Sequence, residues 1–227
     1  MNFKKEAATK AITLIEPNMS IGLGAGSTMI FMAELLAEKV ANGLHVEVLT
    51  SSFNTKCILL EMGFSVKPLA DAATIDIYFD GCDQFDQNLN ALKSGGGIHT
   101  HEKLLASMAK QFILVGDDSK FVKDFTTTYP LVIEFLPEGL SYVPKVIKNL
   151  FPGVKTALRT GDKKEGAAIT NNGNYLLDIW FGEWPPLADI NQQIKNITGV
   201  VETSLFYKLA HKAIVAGKDG VRIIDNK

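Results

Sequence analysis

Four short apolar runs, each followed by a loop of small, polar or charged residues and then by a helical pattern, constrain this chain most. Ile21-Gly22-Leu23 opens into Gly24-Ala25-Gly26-Ser27-Thr28. Val46-Glu47-Val48-Leu49 ends in Thr50-Ser51-Ser52. Residues 75–79 end at Asp80, and Phe112-Ile113-Leu114-Val115 ends in Gly116-Asp117-Asp118-Ser119-Lys120. Helical spacing lies between them. Residues 29–40 are amphipathic, Cys57, Ile58, Leu59 and Met62 precede a capping Gly63, and Leu104, Leu105, Met108 and Ala109 share a face over 102–110. A first helix over 3–15 stops at Pro17-Asn18. Strands alternating with helices at these spacings predict a parallel sheet covered on both faces. Ligands bind beyond the carboxyl ends of such strands, so the four loops are expected to share one site.

The pattern changes near residues 126–130. A strand (131–135), a helix (142–150), two strands (154–159 and 174–180), a helix (187–197) and a strand (200–205) follow. That βαββαβ order predicts a small ferredoxin-like α+β unit. Asn171-Asn172-Gly173-Asn174 reads as a turn, with a local hairpin onto residues 167–170. Residues 213–216 and 221–224 are expected to return strands to the first sheet. The expected fold is therefore α/β, a Rossmann-like parallel-sheet domain (1–127 plus 206–227) with a smaller ferredoxin-like α+β domain (128–205).

Composition narrows the function classes. Hydrophobic residues are 46%, charged residues 21%, and the formal net charge is −2. Disorder requires lower hydrophobicity and higher charge. A dedicated nucleic-acid binder is usually basic. No run of about 18 apolar residues exists to span a membrane. The N-terminal residues lack the apolar core of a signal peptide. Cys57 and Cys82 have no zinc-type spacing. The expectation is a reduced, cytoplasmic protein whose partner is neither nucleic acid nor membrane.

Three segments carry chemistry. In the first, Gly22, Gly24 and Gly26 lack Cβ atoms where the backbone must turn and approach a ligand, and Ser27 and Thr28 open a helix whose free N–H groups favour an anion. The spacing is neither the dinucleotide fingerprint nor a P-loop, and a capped strand-to-helix turn is the plain alternative. In the second, Asp80-Gly81-Cys82-Asp83, two carboxylates end an apolar strand, where charges are rare without partners. Turn capping is the alternative. A metal reading would add Asp86, His99 and His101, but no spacing fixes them. The third is Lys93-Ser94-Gly95-Gly96-Gly97-Ile98-His99-Thr100-His101-Glu102-Lys103. Here a lysine precedes a ligand-approachable backbone, Thr100 is a candidate helix cap, and Glu102 falls in the first turn. Glu102 either balances the helix dipole or does chemistry. His99 and His101 read as loop or surface residues, Cys82 as a packing residue, and Lys120 as a solvated lysine or a phosphate contact. Together these groups can remove a proton beside a carbonyl and stabilise the resulting enediolate without a cofactor or metal.

In this order and over almost the whole chain, these motifs, with Thr170-Asn171-Asn172-Gly173-Asn174 before a strand, resemble ribose-5-phosphate isomerase, type A. The resemblance implies cofactor-free interconversion of ribose 5-phosphate and ribulose 5-phosphate in the pentose phosphate pathway, by a homodimer or homotetramer. It implies Glu102 as the proton-shuttling base. Asp80, Asp83 and Lys93 would bind the sugar, help open its ring and stabilise the enediolate. Ala25, Gly26, Ser27 and Thr28 would form the ligand loop, with Gly81, Cys82, Ser94, Gly95 and Gly96 also facing substrate. Lys120 and Lys4 would contact phosphate. The family usually has glycine where Ser94 stands, so Ser94 is expected at negative φ, with residues 95–97 absorbing the turn. Three other readings compete, the first an isomerase of another sugar phosphate. A sugar-phosphate sensor would usually carry an N-terminal helix-turn-helix, for which the twenty residues before the glycine loop leave no room. A nicotinamide dehydrogenase would need a different glycine spacing and an acidic residue at the next strand end.

Overall fold

The computed structural model describes residues 2–161 and 165–226. The chain opens with α1 (Phe3–Ala11), β1 (Ser20–Leu23), α2 (Ser27–Ala41), β2 (Glu47–Thr50), α3 (Phe53–Glu61) and β3 (Ile75–Asp80). Two short strands, β4 (Gln84–Phe85) and β5 (Ala91–Leu92), precede α4 (His99–Met108) and β6 (Ala109–Asp117). Then come β7 (Leu131–Phe135), α5 (Tyr142–Leu150), β8 (Lys155–Leu158), β9 (Tyr175–Trp180), α6 (Leu187–Lys195) and β10 (Val200–Thr203). The chain closes with β11 (Leu205–Phe206), β12 (Lys212–Gly217) and β13 (Gly220–Asp225).

The main sheet has the order β13-β12-β6-β3-β1-β2, and only the β12–β13 hairpin is antiparallel. The chain leaves β1 towards β2 on one side and returns to β3 on the other. That reversal opens a crevice at the carboxyl ends of β1 and β3. Register aligns Leu23 with Phe79, and Asp80 with Leu114, so the loops after β1, β3 and β6 emerge side by side. One face is packed by Ala7, Ala8 and Ala11 of α1 and Met29, Met32 and Leu36 of α2. Tyr78, Leu105, Phe112 and Phe206 fill the other.

The second sheet, β10-β7-β9-β8, is antiparallel throughout. In the order of its own strands this is 4-1-3-2, the ferredoxin-like arrangement that the βαββαβ pattern predicts. Its core joins Ile133 and Phe135 to Val143 and Ile147 of α5 and to Ile190 and Ile194 of α6. The Asn171-to-Asn174 turn does fold back locally: Ile169 bridges Tyr175, and the Thr170 amide donates to the Asn174 carbonyl at 2.9 Å.

Three features differ from expectation. The first helix is α-helical only to Ala11 and tightens into a 3-10 turn over Ile12–Leu14. A third sheet, β11-β5-β4, had no signal, because two-residue strands show no period. It sits between the other two and holds Lys93, whose amide donates to the Ser204 carbonyl at 3.0 Å. Finally, α4 begins at His99, three residues early, with Ile98 at its N-cap and no side-chain cap. Among the described residues, no helix is long and apolar enough to cross a membrane.

Candidate active site

Asp80, the last residue of β3, is fully buried. Its Oδ1 accepts from the amides of Ala25 (3.1 Å) and Gly81 (2.8 Å). Its Oδ2 accepts from the Tyr78 hydroxyl (2.5 Å), which lies on the same strand face, and pairs with Lys93 Nζ at 2.8 Å. This carboxylate explains Gly24: a Cβ there would stand 2.0 Å from Asp80 Cγ. The missing side chain makes room for Asp80, not for a ligand as the sequence suggested. Gly26 serves the turn instead, with φ at +96°.

Lys93 continues the chain of charges. Its ammonium donates to the Gly81 carbonyl (2.5 Å) and lies 3.4 Å from Glu102 Oε1. Burial disfavours the Lys93 ammonium, but the Asp80 and Glu102 carboxylates outweigh that and hold its pKa above the ordinary lysine value. Glu102 is only 5% exposed. Burial raises its pKa to about 8, with Lys93 opposing the rise and Asp80 adding to it. A carboxyl group poised there can both take and return a proton near neutral pH. The Tyr78 phenol is pushed up by burial and by the same two carboxylates, so it stays a donor to Asp80. Burial lifts the Cys82 thiol to about 12, which removes it as a nucleophile.

Beside this triad lies a cleft of about 350 Å³. The α1 side contributes Lys4, and the β1 loop contributes Ala25, Gly26, Ser27 and Thr28. Gly81, Cys82 and Asp83 come from the β3 loop, Lys93, Gly95, Gly96 and Glu102 from the segment into α4, and Gly116, Asp117 and Lys120 from the β6 loop. The N-terminus of α2 has no side-chain cap, so its first amides remain available to an anion. Lys4 Nζ reaches Ser27 Oγ at 3.2 Å. The loop after β2 does not join the lining. It supports the site from behind through Ser51 Oγ near the Tyr78 hydroxyl (3.3 Å), as does α3 through Thr55 Oγ1 on the Gly24 carbonyl (2.7 Å).

Two of the predicted site residues stand outside the lining. Asp80 is covered and reaches the cleft only through the lining residues it holds, Lys93, Ala25 and Gly81. Ser94 donates its amide to Asp83 Oδ2 and its hydroxyl to the Pro130 carbonyl, both at 2.5 Å. Its backbone is not in the left-handed region, and Gly97, at φ +67°, takes the turn. Ser94→Gly is therefore expected to leave kcat nearly unchanged and to cost about 1 kcal/mol in stability, through the lost hydrogen bond and a freer unfolded chain. Activity assay and thermal melting on one preparation check this.

Other side chains correct the sequence reading. His99 is not a surface residue. It is fully buried, with Nε2 3.2 Å from the Glu202 carbonyl, and burial drives its pKa down to about 4. His101 is partly exposed on α4. Thr100 does not cap α4; its hydroxyl donates to Glu134 of β7. That buried carboxylate also accepts from Thr170 Oγ1 (2.8 Å), Asn172 Nδ2 (3.0 Å) and Asn174 Nδ2 (2.7 Å). The asparagine-rich turn thus serves Glu134 as well as the chain reversal. Asp86, raised as a metal ligand, instead accepts from the amides of Asn88 and Asn90 and from Asn90 Nδ2.

Comparison with known proteins places this geometry in context. Residues 47–220 match the family described as ribose 5-phosphate isomerase A (phosphoriboisomerase A). Ribose-5-phosphate isomerase A of Synechococcus sp. is 37% identical over 224 residues, covering 98% of this chain and 96% of that protein. The structure of ribose 5-phosphate isomerase A from Methanocaldococcus jannaschii superposes with a TM-score of 0.91 at 32% identity, covering 98% of this chain and 97% of that one. A D-ribose-5-phosphate isomerase in complex with phospho-erythronic acid gives a TM-score of 0.92 at 33% identity, covering 99% and 100%. Identity at this level, sustained over nearly the full length, means that the chain belongs to the ribose 5-phosphate isomerase A family.

Proposed function

We propose that this protein interconverts D-ribose 5-phosphate and D-ribulose 5-phosphate through an enediolate, with Glu102 as the base. The observation that carries this reading is the buried Asp80–Lys93–Glu102 chain beside a cleft that is also lined by an uncapped helix N-terminus and two lysines. The α2 amides, Lys4 and Lys120 receive the phosphate. The open-chain sugar then lays C1 and C2 beside Glu102. The Glu102 carboxylate takes the proton from C2, and the C1 carbonyl oxygen gains the negative charge. Lys93 stabilises that charge, as an oriented ammonium in a water-poor site can. The hydroxyl proton passes from O2 to O1, and Glu102 returns its proton to C1, leaving the ketone at C2. Asp83, which lines the cleft, binds sugar hydroxyls and assists ring opening, while Asp80 acts by fixing Lys93. The acid bound in the related structure, a phosphorylated four-carbon carboxylate by its name, has the charge pattern such a cleft would take.

A pentose phosphate pathway role, a cytoplasmic location and a homodimeric or homotetrameric state belong to the same reading and rest on the family resemblance. Light scattering tests the last of these. The function itself is tested by incubating purified protein with ribose 5-phosphate, with and without a chelator. Ketose formation unaffected by the chelator supports the reading. Tight binding without turnover would favour the sensor instead.

Two further outcomes are expected. Lys120→Ala raises KM with little change in kcat, because phosphate is held alike in ground and transition states. An unchanged KM would make Lys120 a solvated lysine. The pH dependence follows from Glu102, whose unprotonated form is the base, so kcat/KM rises with pH and levels off above about 8. The sign for stability is opposite. Between the ordinary glutamate pKa and about 8 the folded protein holds a proton that the unfolded chain has released, so the Glu102 contribution to stability falls as pH rises through that window. Because the depressed His99 pKa acts with the opposite sign below about 6.5, the Glu102 contribution is read as the difference between the wild-type and Glu102→Gln melting profiles, and a difference that does not fall as pH rises would contradict the assignment.

A further inference from the structure

Arg159 follows β8, in the small sheet, and does not line the cleft. Its guanidinium nevertheless reaches the cleft's edge. Nη1 donates to the Gly95 carbonyl at 3.0 Å and Nη2 to the Ser94 carbonyl at 2.9 Å. The same group is locked from behind by Asp178 of β9, with Nη2 to Oδ1 at 2.6 Å and Nε to Oδ2 at 3.3 Å. Both side chains are mostly buried. A planar, bidentate pair of this kind has one orientation, unlike a lysine contact.

The consequence lies on the far side of two peptide planes. In a trans peptide the carbonyl and the N–H point in opposite directions. The Ser94 carbonyl shares its plane with the Gly95 amide, and the Gly95 carbonyl with the Gly96 amide. Both carbonyls are held on Arg159, which stands outside the lining, so the amide of each peptide plane faces away from Arg159. The loop is otherwise soft, with three successive glycines. It also lies tight on the small sheet, since a Cβ on Gly97 would meet Leu176 Cδ1 at 2.6 Å.

We infer that Arg159, locked by Asp178, is a positioning residue: it aims the Gly95 and Gly96 amides into the cleft and fixes the backbone from which Lys93 reaches Glu102. This rests on the isomerase reading for its kinetic consequence but not for its structural one. The test compares Arg159→Met, Arg159→Lys and Asp178→Asn with wild type, in three measurements. Kinetics with ribose 5-phosphate should show kcat/KM lowered by roughly 10–10²-fold in Arg159→Met, the scale of a small misplacement of reacting groups. Arg159→Lys should lie close to it, because an ammonium cannot serve two carbonyls and a carboxylate in one plane, and Asp178→Asn should fall between. Inhibition by inorganic phosphate should stay at the wild-type value, since the contacts proposed for it are the α2 amides, Lys4 and Lys120, none of which Arg159 touches. Backbone ¹⁵N order parameters of residues 95–97 should fall in each variant. A folded Arg159→Met with kcat/KM within about twofold of wild type would overturn the inference, as would a kinetic loss that phosphate inhibition shares equally. If Arg159→Met does not fold, the same criteria apply to the other two variants. If wild type itself fails to convert ribose 5-phosphate, the isomerase reading falls, and the order parameters alone decide the clamp: unchanged values at 95–97 would sink it.

Discussion

Replacing Glu102 with glutamine is expected to lower kcat by roughly 10²–10⁴-fold, the usual worth of a positioned general base, with KM moving far less. Glutamine keeps the shape and part of the hydrogen bonding but cannot accept a proton. A dipole-balancing glutamate predicts something else, namely a loss of about 0.3–1 kcal/mol in stability with turnover intact. The surroundings already weigh against that alternative. A carboxylate serving only the α4 dipole gains nothing from being 5% exposed and 3.4 Å from a buried lysine. Measuring kcat and the unfolding midpoint on one purified variant separates the two, and near-wild-type turnover would end the catalytic assignment.

The second large effect is expected at Lys93. Its ammonium lies between Asp80 Oδ2 (2.8 Å) and Glu102 Oε1 (3.4 Å), and all three side chains are buried. Lys93→Met leaves two carboxylates in a low-dielectric site without a counter-charge. Breaking a buried pair in this way costs about 3–5 kcal/mol in stability. Losing the donor aimed at the enediolate oxygen lowers kcat by roughly 10²–10³-fold. A third consequence is more specific. Lys93 is the group that restrains the raised pKa of Glu102, so its removal moves the rising limb of kcat/KM to higher pH. A variant that loses stability but keeps the wild-type limb would show that Lys93 and Glu102 do not act as a unit.

Local signals in the sequence account for much of this site. Apolar runs ending in glycine, aspartate or lysine mark the strand ends, and the β1–β3 reversal then brings those ends together. Asp80 stands out because a charge at the end of an apolar strand needs a partner. What the sequence does not show is which way each group faces. Asp80 turns inwards to Lys93, and Gly24 is a glycine because of Asp80 rather than because of a ligand. Tyr78 reads as one more apolar strand residue until its hydroxyl is found on the Asp80 carboxylate. Thr100 has the composition of a cap, but Glu134, 34 residues away, takes its hydroxyl and lets the helix start at His99. Arg159 lies 64 residues from Gly95, just past a strand of the small sheet, so no spacing rule links them. The missed features are therefore tertiary contacts and two-residue strands, neither of which leaves a periodic trace.

In the proposed mechanism a proton, carried by Glu102, moves between C2 and C1. Isomerisation run to equilibrium in deuterium oxide and followed by NMR tests it most directly. Solvent deuterium is expected at C1 of the ribulose 5-phosphate and at C2 of the recovered ribose 5-phosphate, because a proton on a carboxylate exchanges with solvent while the enediolate lives. Full conversion with no deuterium at either carbon would mean that hydrogen passes directly between them, and would contradict it.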